Sequence, residues 1–593
     1  MKKYTTIYKI LVLLMILGAF DAFGQKSKQL RKKENRLERL KMEQLMFRNP
    51  KTQKIPERIR GKELNYVYGS KAHLLPAFNP RARTTSTNFD IRGPFNVGGR
   101  TRAIGVDARN TSIMMIGGAS GGLYRTTDGG TNWTLVSNVQ ANPSITDIAQ
   151  DPTAQDTWYY TTGEAIGTVA TNVGGARYLG DGVYKSTDNG VTWNQLSSTD
   201  PVNEVSFGSG TRGEWQYCHD IAVDPIDGAV LVANIKGIYR SADGGTTWTQ
   251  VLDAATSFSS DITHFDVLKT GATTRVYYAG VHSSGTNSGF FNSSDGVNWT
   301  KIISPASMPS TWERIEVAIA PSNSNVAWFF VSGSGGNYRL YKYNNTVPLW
   351  ADRSSTLPAL GGRVGNLNTQ GSYNMVMSVK PDDEDYIFIA GTSLYRSTDG
   401  FTTGLNASNT GNTQWIGGYS PDNDVNRYPS HHPDVHSFMF VPGSNTTVLC
   451  GHDGGLSKTT DITTDNGIPA GFSKRHPVTW TALNNGYYTT QAYSIAIDPT
   501  TGGDKRILLG FQDNGNWSVN NTSATALWGE EIAGGDGCYG AIVAGEDTRY
   551  HSTQNGAVLR VTGANAQSPT SFHLVHPAAA TGQLFVNPFI LDK

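Results

Sequence analysis

The sequence is poor in cysteine, in charge and in long apolar runs, and each shortage excludes a class of protein. Its 593 residues include three cysteines, Cys218, Cys450 and Cys538, so stability must come from packing, and one disulfide is possible but not required. Lysine plus arginine and aspartate plus glutamate both number 49. This balance leaves no overall basic charge to bind a nucleic-acid backbone, and nucleic acid is excluded as a partner.

No apolar segment long enough to span a membrane follows the first residues, so no transmembrane segment is expected. The N-terminus itself is typical of a cleavable secretory signal: MKK at residues 1–3, an apolar run over 10–20, and small residues before Gln25. We therefore predict cleavage near Gly24 and a secreted or cell-surface protein. No cysteine stands at the cleavage point, so a lipoprotein anchor is not indicated.

Glycine and aromatic residues are abundant, at 66 residues and 10%. This composition is typical of tight turns that join short, half-buried strands, and it predicts an all-β fold. Before the strands begin, residues 26–48 place leucines at helical spacing among many charges, which predicts a surface helix. Residues 51–90 are irregular and contain three prolines, as in a linker. We assign residues 1–24 to the signal and 25–90 to helix and linker.

From residue 91 onward one unit recurs about nine times, roughly every 40 to 60 residues. Each unit opens with a strand that ends near Asp-Pro, as in DIAQDP (147–152), DIAVDP (220–225) and SIAIDP (494–499). Four short strands at this period are typical of one blade of a multi-bladed β-propeller. We predict a seven-bladed propeller over 91–490 and the start of a second over 491–593, with a single ten-bladed ring as the alternative. FVNPFILDK (585–593) opens a further blade and stops, so we expect the chain to be a fragment.

A second motif closes the third strand of several units. Its copies are TTDGGTNW (126–133), STDNGVTW (186–193), SADGGTTW (241–248), SSDGVNW (293–299) and a degraded STDGFTTG (397–404). The aspartate of each copy is placed to accept backbone N–H bonds within the turn, and the tryptophan to pack on the hairpin. Repetition in many blades favours a structural role for these acids over a catalytic one. We expect the turns to lie on one rim of the propeller.

These repeats resemble the Asp-box, or BNR, repeats of sialidases, sortilin-type receptors and tandem-propeller xyloglucanases. The segments GPFNVGGR (93–100) and ASGGLYRTTDGGTNW (119–133) are similar to large secreted, sortilin-like propeller proteins of Bacteroidetes that carry a C-terminal sorting domain. The resemblance implies the fold, since propellers host hydrolases, lyases, receptors and scaffolds alike. No Arg-Ile-Pro segment precedes the first Asp box, which disfavours a sialidase. The segment with the first acid of the xyloglucanases is not recognisable, so no catalytic residue is carried over.

Candidate site residues lie in segments that break the repeat, because functional groups of propellers gather near the channel and in the loops above it. The catalytic candidates are carboxylates in glycine-containing turns: Glu164, Asp513 and Asp536. Glu164 facing Asp513 or Asp536 would make a glycosidase pair. The ligand-binding candidates are Arg100, His432, Asp434, His436, Asp453 and Trp517.

The histidine and aspartate cluster leaves three interpretations open: a metal or acid/base site, a polar lining of the channel, or ordinary loop packing. The strand after it is expected to begin at about Ser437. We predict no cofactor, although the Asp-Gly turns at Asp453, Asp513 and Asp536 are each compatible with a structural Ca²⁺ held by backbone carbonyls.

Two functions remain open. The first is a monomeric binding protein for extracellular polysaccharide or a surface protein. The second is a glycoside hydrolase or polysaccharide lyase that acts in a propeller cleft. Trp215, Trp415 and Trp517 are expected to serve as platforms for sugar rings in either case.

Overall fold

The computed structural model describes residue 45 and residues 48–54, 93–137, 144–165, 178–201, 214–254, 263–284, 287–498, 506–519, 529–563, 571–576 and 583–591. The predicted signal, almost all of the predicted helix and most of the linker lie outside these residues. The described part of the chain is all-β: nine four-stranded antiparallel sheets and one two-stranded hairpin, with each sheet formed by four strands that follow one another in sequence.

Sheets 1 to 3 contain β1 (Thr101–Val106), β2 (Met114–Gly118), β3 (Gly122–Thr126) and β4 (Thr134–Leu135); β5 (Ile145–Gln150), β6 (Trp158–Thr162), β7 (Val183–Ser186) and β8 (Asn194–Gln195); β9 (Cys218–Val223), β10 (Val230–Asn234), β11 (Gly237–Ser241) and β12 (Thr249–Asp253). Sheets 4 and 5 contain β13 (His264–Lys269), β14 (Arg275–Val281), β15 (Gly289–Ser293) and β16 (Thr300–Ile302); β17 (Trp312–Ile319), β18 (Val326–Gly333), β19 (Asn337–Asn344) and β20 (Leu349–Asp352).

Sheets 6 and 7 contain β21 (Val376–Lys380), β22 (Asp383–Ala390), β23 (Leu394–Ser397) and β24 (Thr413–Gly417); β27 (Val435–Phe440), β28 (Val448–His452), β29 (Gly455–Thr459) and β30 (Thr481–Ala482). Between them lies the hairpin of β25 (Tyr419–Ser420) and β26 (Asn423–Arg427). Sheets 8 and 9 contain β31 (Ala492–Ile497), β32 (Ile507–Phe511), β33 (Gly515–Val519) and β34 (Glu530–Ala533); β35 (Gly537–Ile542), β36 (Thr548–Thr553), β37 (Val558–Thr562) and β38 (Ser571–Leu574).

The first strands of sheets 1 to 7 form a closed ring, here called the first ring. Each packs beside the next in the order β1, β5, β9, β13, β17, β21 and β27, and β27 packs back on β1. A hydrophobic cluster fills each of the seven sheet-to-sheet interfaces, including the closing one between sheets 7 and 1. The chain therefore has a seven-bladed propeller as predicted, rather than one ten-bladed ring.

Sheets 8 and 9 pack on each other outside the first ring. β35 contacts both β31 and β32. The segment before β1 joins the two groups: Val97 is buried with Ile507, Leu509 and Phe511 of sheet 8. The side-chain amide of Asn96 also donates to the Gly529 carbonyl over 3.2 Å. The start of the first ring is thereby packed against sheet 8.

The Asp-Gly turns have the structural role expected from their repetition. In the first, Asp128 Oδ1 accepts bonds from the Thr126 hydroxyl over 2.6 Å and from the Asn132 amide over 3.0 Å. These bonds lower the pKa of Asp128 to about 2. The turns follow the third strands, which run antiparallel to the second, so they lie on the rim opposite the ends of the second strands.

The three cysteines, all within the described residues, are buried and form no disulfide bond with one another. Within the described ranges, no helix is both long and apolar enough to cross a bilayer.

Candidate functional site

Strand direction brings most of the candidate residues to one rim of the first ring. In an antiparallel sheet the start of the first strand and the end of the second strand share an edge. Arg100 directly precedes β1, Asp453 directly follows β28, and Asp434 directly precedes β27. Glu164 follows β6 on the same rim, and Asp513 follows β32 of sheet 8. These residues come from distant parts of the sequence and meet in two neighbouring groups.

The first group is a buried network of ion pairs around Arg100. Its Nε donates to Asp453 Oδ1 over 3.2 Å and its Nη1 to Glu164 Oε2 over 3.0 Å. The second oxygen of Glu164 pairs with Arg102. Glu164 is only 2% exposed, and two guanidinium groups neutralise its charge. These buried ion pairs favour a structural role for Glu164.

Asp453 completes this network. His436 Nε2 lies 2.7 Å from its Oδ1, and the Tyr373 hydroxyl donates to its Oδ2 over 2.8 Å. Burial by itself raises the pKa of Asp453, but Arg100 and His436 outweigh burial and hold that pKa far below its ordinary value. Burial lowers the pKa of His436 to about 3. The neutral imidazole therefore donates from Nε2 to an ionised Asp453.

The second group lines a cleft of about 530 Å³ between the first ring and sheets 8 and 9. Four carboxyl groups line it: Asp434 from the first ring, Asp513 and Asp536 from the turns around sheet 8, and Glu531 from β34. The other lining residues include Arg363, Tyr419, Arg427, His432 and Gln554. We call this space the inter-ring cleft.

The loops of the inter-ring cleft are tied together by hydrogen bonds. Asn374 Nδ2 donates to Asp434 Oδ1 over 2.6 Å, and the Asp513 amide donates to Asp536 Oδ1 over 3.1 Å. His432 Nε2 lies 3.0 Å from the Asp513 carbonyl oxygen. Asp434 and Asp513 also have positive φ angles, 65° and 58°. Left-handed backbone at residues other than glycine is costly and is concentrated at functional sites.

Two carboxyl groups of the cleft hold their protons more tightly than usual. Burial, followed by the negative charge of Asp453, raises the pKa of Asp434 well above its ordinary value. Burial and the charges of Asp536 and Asp453 do the same for Asp513, and Asp434 adds to the effect. Burial lowers the pKa of His432 to about 4, so this side chain is neutral.

One wall of the cleft is the hairpin β25–β26, which has no counterpart beside the other sheets within the described residues. Arg427 pairs with Glu531 of sheet 8 across the cleft. The Arg363 guanidinium lies 5.3 Å above the Tyr419 ring, and the Arg363 amide donates to Asp424 Oδ2 over 3.0 Å. These residues were not among the predicted site residues. The signal that was available is the long stretch between β24 and β27, which breaks the repeat period.

The channel of the first ring is a separate cavity of about 200 Å³, lined by all seven first strands. Glu164 and His436 line it, whereas His432, Asp434, Asp513 and Asp536 line the inter-ring cleft. Glu164 therefore lines a different cavity from Asp513 and Asp536, and the inter-ring cleft does not bring the predicted pair together. β27 begins at Val435 and not at Ser437, so His436 belongs to the strand.

The prediction that Trp215 and Trp415 serve as platforms for sugar rings is wrong. Trp215 and Trp415 are each only 5% exposed, because Trp215 packs against Tyr239 and Trp248, and Trp415 belongs to the core between sheets 5 and 6. Trp517 is half-buried beside the core of sheet 8, and its Nε1 donates to the Asn514 carbonyl over 2.5 Å.

No group of three or more histidine, cysteine, aspartate or glutamate side chains in the described ranges is arranged to hold a metal ion. Calcium at an Asp-Gly turn stays a prediction.

No protein-family model matches the chain. Two xyloglucanases are similar in sequence: that of Hypocrea jecorina (strain QM6a) is 26% identical over 30% of this chain and 18% of its own length. That of Paenibacillus sp. is 28% identical over 27% of this chain and 22% of its own length. The matched segments thus span about a fifth of these curated relatives.

Solved structures give broader matches. An ancestral GH74 enzyme superposes with a TM-score of 0.52 at 15% identity, over 83% of this chain and 63% of that one. The GH74 xyloglucanase from Xanthomonas campestris gives a TM-score of 0.49 at 14% identity, over 82% of this chain and 75% of that one. The ancestral enzyme therefore shares the propeller fold of this chain.

Proposed function

We propose that the protein is a glycoside hydrolase that cleaves an extracellular polysaccharide in the inter-ring cleft. The observation that carries the proposal is the meeting of Asp434 from the first ring with Asp513 from sheet 8 in one cleft of about 530 Å³. Glycoside hydrolysis needs two carboxyl groups on either side of the scissile bond, one protonated and one ionised.

The electrostatics of the cleft support a pair of one protonated and one ionised carboxyl group. Burial and nearby negative charge raise the pKa of Asp434 and of Asp513 well above its ordinary value, which suits one of the two groups to the role of a general acid. One group then serves as general acid to the leaving oxygen, and the other as the ionised base or nucleophile. Asp536 accepts the Asp513 amide, and we assign it to holding the Asp513 turn.

The similarity to two xyloglucanases supports xyloglucan as the first substrate to try. The predicted secretory signal supports action outside the cell. The shared geometry of the aspartates in the TTDGG-type turns also supports the finer proposal that they are Asp boxes.

The test is incubation of the protein with a panel of polysaccharides, xyloglucan first, followed by assay of new reducing ends. We expect cleavage by the wild type, and a loss of about 10²–10⁴-fold in kcat for Asp513→Asn and for Asp434→Asn, as for a removed acid or base. The matched control is Asp243→Asn, whose carboxylate lies in an exposed turn on the opposite rim.

The other function classes give different results in the same assay. A pure binding protein would bind a polysaccharide without producing reducing ends, and a polysaccharide lyase would produce the absorbance of unsaturated uronates. Either result would overturn the hydrolase proposal.

A further inference from the structure

We propose that Asp453 is the positioning residue of the inter-ring cleft: its side chain is locked in the first ring, and its backbone holds the loops that carry Asp434 and Asp513. This inference rests on the proposed function for its catalytic consequence. Its structural part can be tested without any substrate.

The side chain of Asp453 has no freedom to turn. Both oxygens are bonded, Oδ1 by Arg100 at 3.2 Å and His436 at 2.7 Å, and Oδ2 by the Tyr373 hydroxyl at 2.8 Å. The side chain is only 2% exposed. Charge-assisted bonds from three directions in a buried site fix a carboxylate and its backbone together.

The backbone of Asp453 contacts both halves of the cleft. Its amide donates to the Asp434 carbonyl over 3.2 Å, and its carbonyl accepts from Asn514 Nδ2 over 2.9 Å. Asn514 Nδ2 also donates to the Gln512 carbonyl over 3.2 Å. Asp513 therefore projects from a turn whose flanking residues are tied to Asp453.

This arrangement links the first ring to sheet 8 where Asp434 and Asp513 line the same cleft. Asp434 belongs to the first ring and Asp513 to sheet 8, so their separation depends on how firmly sheet 8 is held. A displacement of about 1 Å in catalytic groups can cost about 10²-fold in rate. Asp453 does not itself line the cleft, and it acts through the neighbours that its backbone bonds.

Asp453 also sets the charge that the two cleft acids experience. Its carboxylate disfavours ionisation of Asp434 and Asp513, while Arg100 favours it. Replacing Asp453 by asparagine removes the first effect and leaves Arg100 less neutralised, so both changes make the acids ionise at lower pH. The titratable and charged groups that face these acids are Arg100, Arg363, Arg427, Tyr419, His432, Asp453, Glu531 and Asp536, and Asn374 donates to Asp434.

The experiment compares Asp453→Asn and Asn514→Ala with a matched control, Asp107→Asn. Asp107 is also a buried carboxylate, bound by Arg109, Gln150 and Asn189 in the first ring and away from the cleft. The first readout is hydrogen exchange by mass spectrometry on the ligand-free proteins. We expect amides of residues 511–517 to exchange at least about fivefold faster in both test variants and unchanged in the control.

The second readout is the pH profile of kcat/KM on the polysaccharide that the wild type cleaves. In Asp453→Asn the alkaline limb should move to lower pH, because the acid loses its proton earlier. In Asn514→Ala kcat should fall with the limb unmoved, since the Asp453 charge is still present. A purely structural residue would lower the amount of folded enzyme without moving either limb.

The proposal would be overturned if the amides of residues 511–517 exchanged at the wild-type rate in both test variants. It would also be overturned if these amides exchanged equally faster in the control. If Asp453→Asn does not fold, Asn514→Ala decides by the same exchange measurement. If the wild type cleaves no polysaccharide, the proposed function fails while the exchange data still decide the positioning role.

Discussion

At the scale of single residues, the charge partners of a carboxylate decide which chemistry it can perform. Glu164 contacts two arginines, which hold its carboxylate in buried ion pairs. Asp513 faces other carboxylates in the inter-ring cleft, and burial together with those charges raises its pKa well above its ordinary value. The two residues have similar turns in the sequence but opposite electrostatic surroundings.

Tryptophans of the Asp-Gly turns should contribute to stability in proportion to their burial. Trp133 is 5% exposed, and its Nε1 donates to the Leu483 carbonyl over 2.8 Å. Trp248 is half-buried. We expect Trp133→Ala to cost about 3–5 kcal/mol of unfolding free energy and Trp248→Ala clearly less, measured by urea unfolding. Equal losses, or a change in polysaccharide affinity with unchanged melting, would contradict the structural role.

The sequence could not distinguish a buried tryptophan from a sugar platform. Trp215 and Trp415 stand in segments that break the repeat, yet tertiary packing buries both. Likewise the partners of Glu164 could not be foreseen, because Arg100 and Arg102 lie more than 60 positions away in the chain. Local sequence carries residue type and spacing, while burial and charge pairing are decided by the fold.

At the scale of strands, buried aspartates connect neighbouring sheets of the first ring. Asp147 Oδ2 accepts the Ile221 amide over 3.0 Å, and Asp220 Oδ2 accepts the Phe265 amide over 2.8 Å. Asp266 repeats the contact with the Ile319 amide at 2.8 Å. Each bond joins one first strand to the next, so polar pairing complements the hydrophobic interfaces.

Asp220 makes the contact between β9 and β13 depend on pH. Burial raises the pKa of Asp220 to about 7, above the value of about 3.9 in an unfolded chain. Its contribution to stability is therefore complete below about pH 4 and is lost as the pH rises through 7. Asp220→Asn does not titrate. We expect the stability of the wild type relative to this variant, from urea unfolding, to fall between pH 4 and pH 8. A difference that stays constant over this range would contradict the assignment.

Isoleucines at corresponding positions of two first strands should contribute differently to the free energy of unfolding. Ile221 in DIAVDP is 4% exposed, because sheet 2 covers it, whereas Ile495 in SIAIDP is 60% exposed. We expect Ile221→Ala to cost about 2–5 kcal/mol and Ile495→Ala less than about 1 kcal/mol. Thermal unfolding of both variants beside the wild type measures this. Equal costs would mean that another part of the protein covers sheet 8.

The strands themselves could be predicted from the sequence, because each blade repeats the same alternation of apolar residues and the same turn. The hairpin β25–β26 was not, since it is a single insertion with no repeat to mark it. It forms a wall of the inter-ring cleft. Periodicity thus predicts the scaffold and misses the departures that shape the site.

At the scale of the whole molecule, closure of the first ring leaves sheets 8 and 9 to form a second body against its rim. The count of seven blades before residue 491 could be predicted from the repeat. The contact between the two groups could not, because it depends on single bonds such as Arg427 with Glu531 and Asn514 with the Asp453 carbonyl. The proposed active site lies at that contact.

The most direct measurement of the central claim is a crystal structure of Asp513→Asn with a xyloglucan oligosaccharide. We expect sugar rings in the inter-ring cleft, within hydrogen-bond reach of Asp434 and residue 513 and against the hairpin β25–β26. An oligosaccharide bound in the channel of the first ring or on its outer rim, with the inter-ring cleft empty, would contradict it.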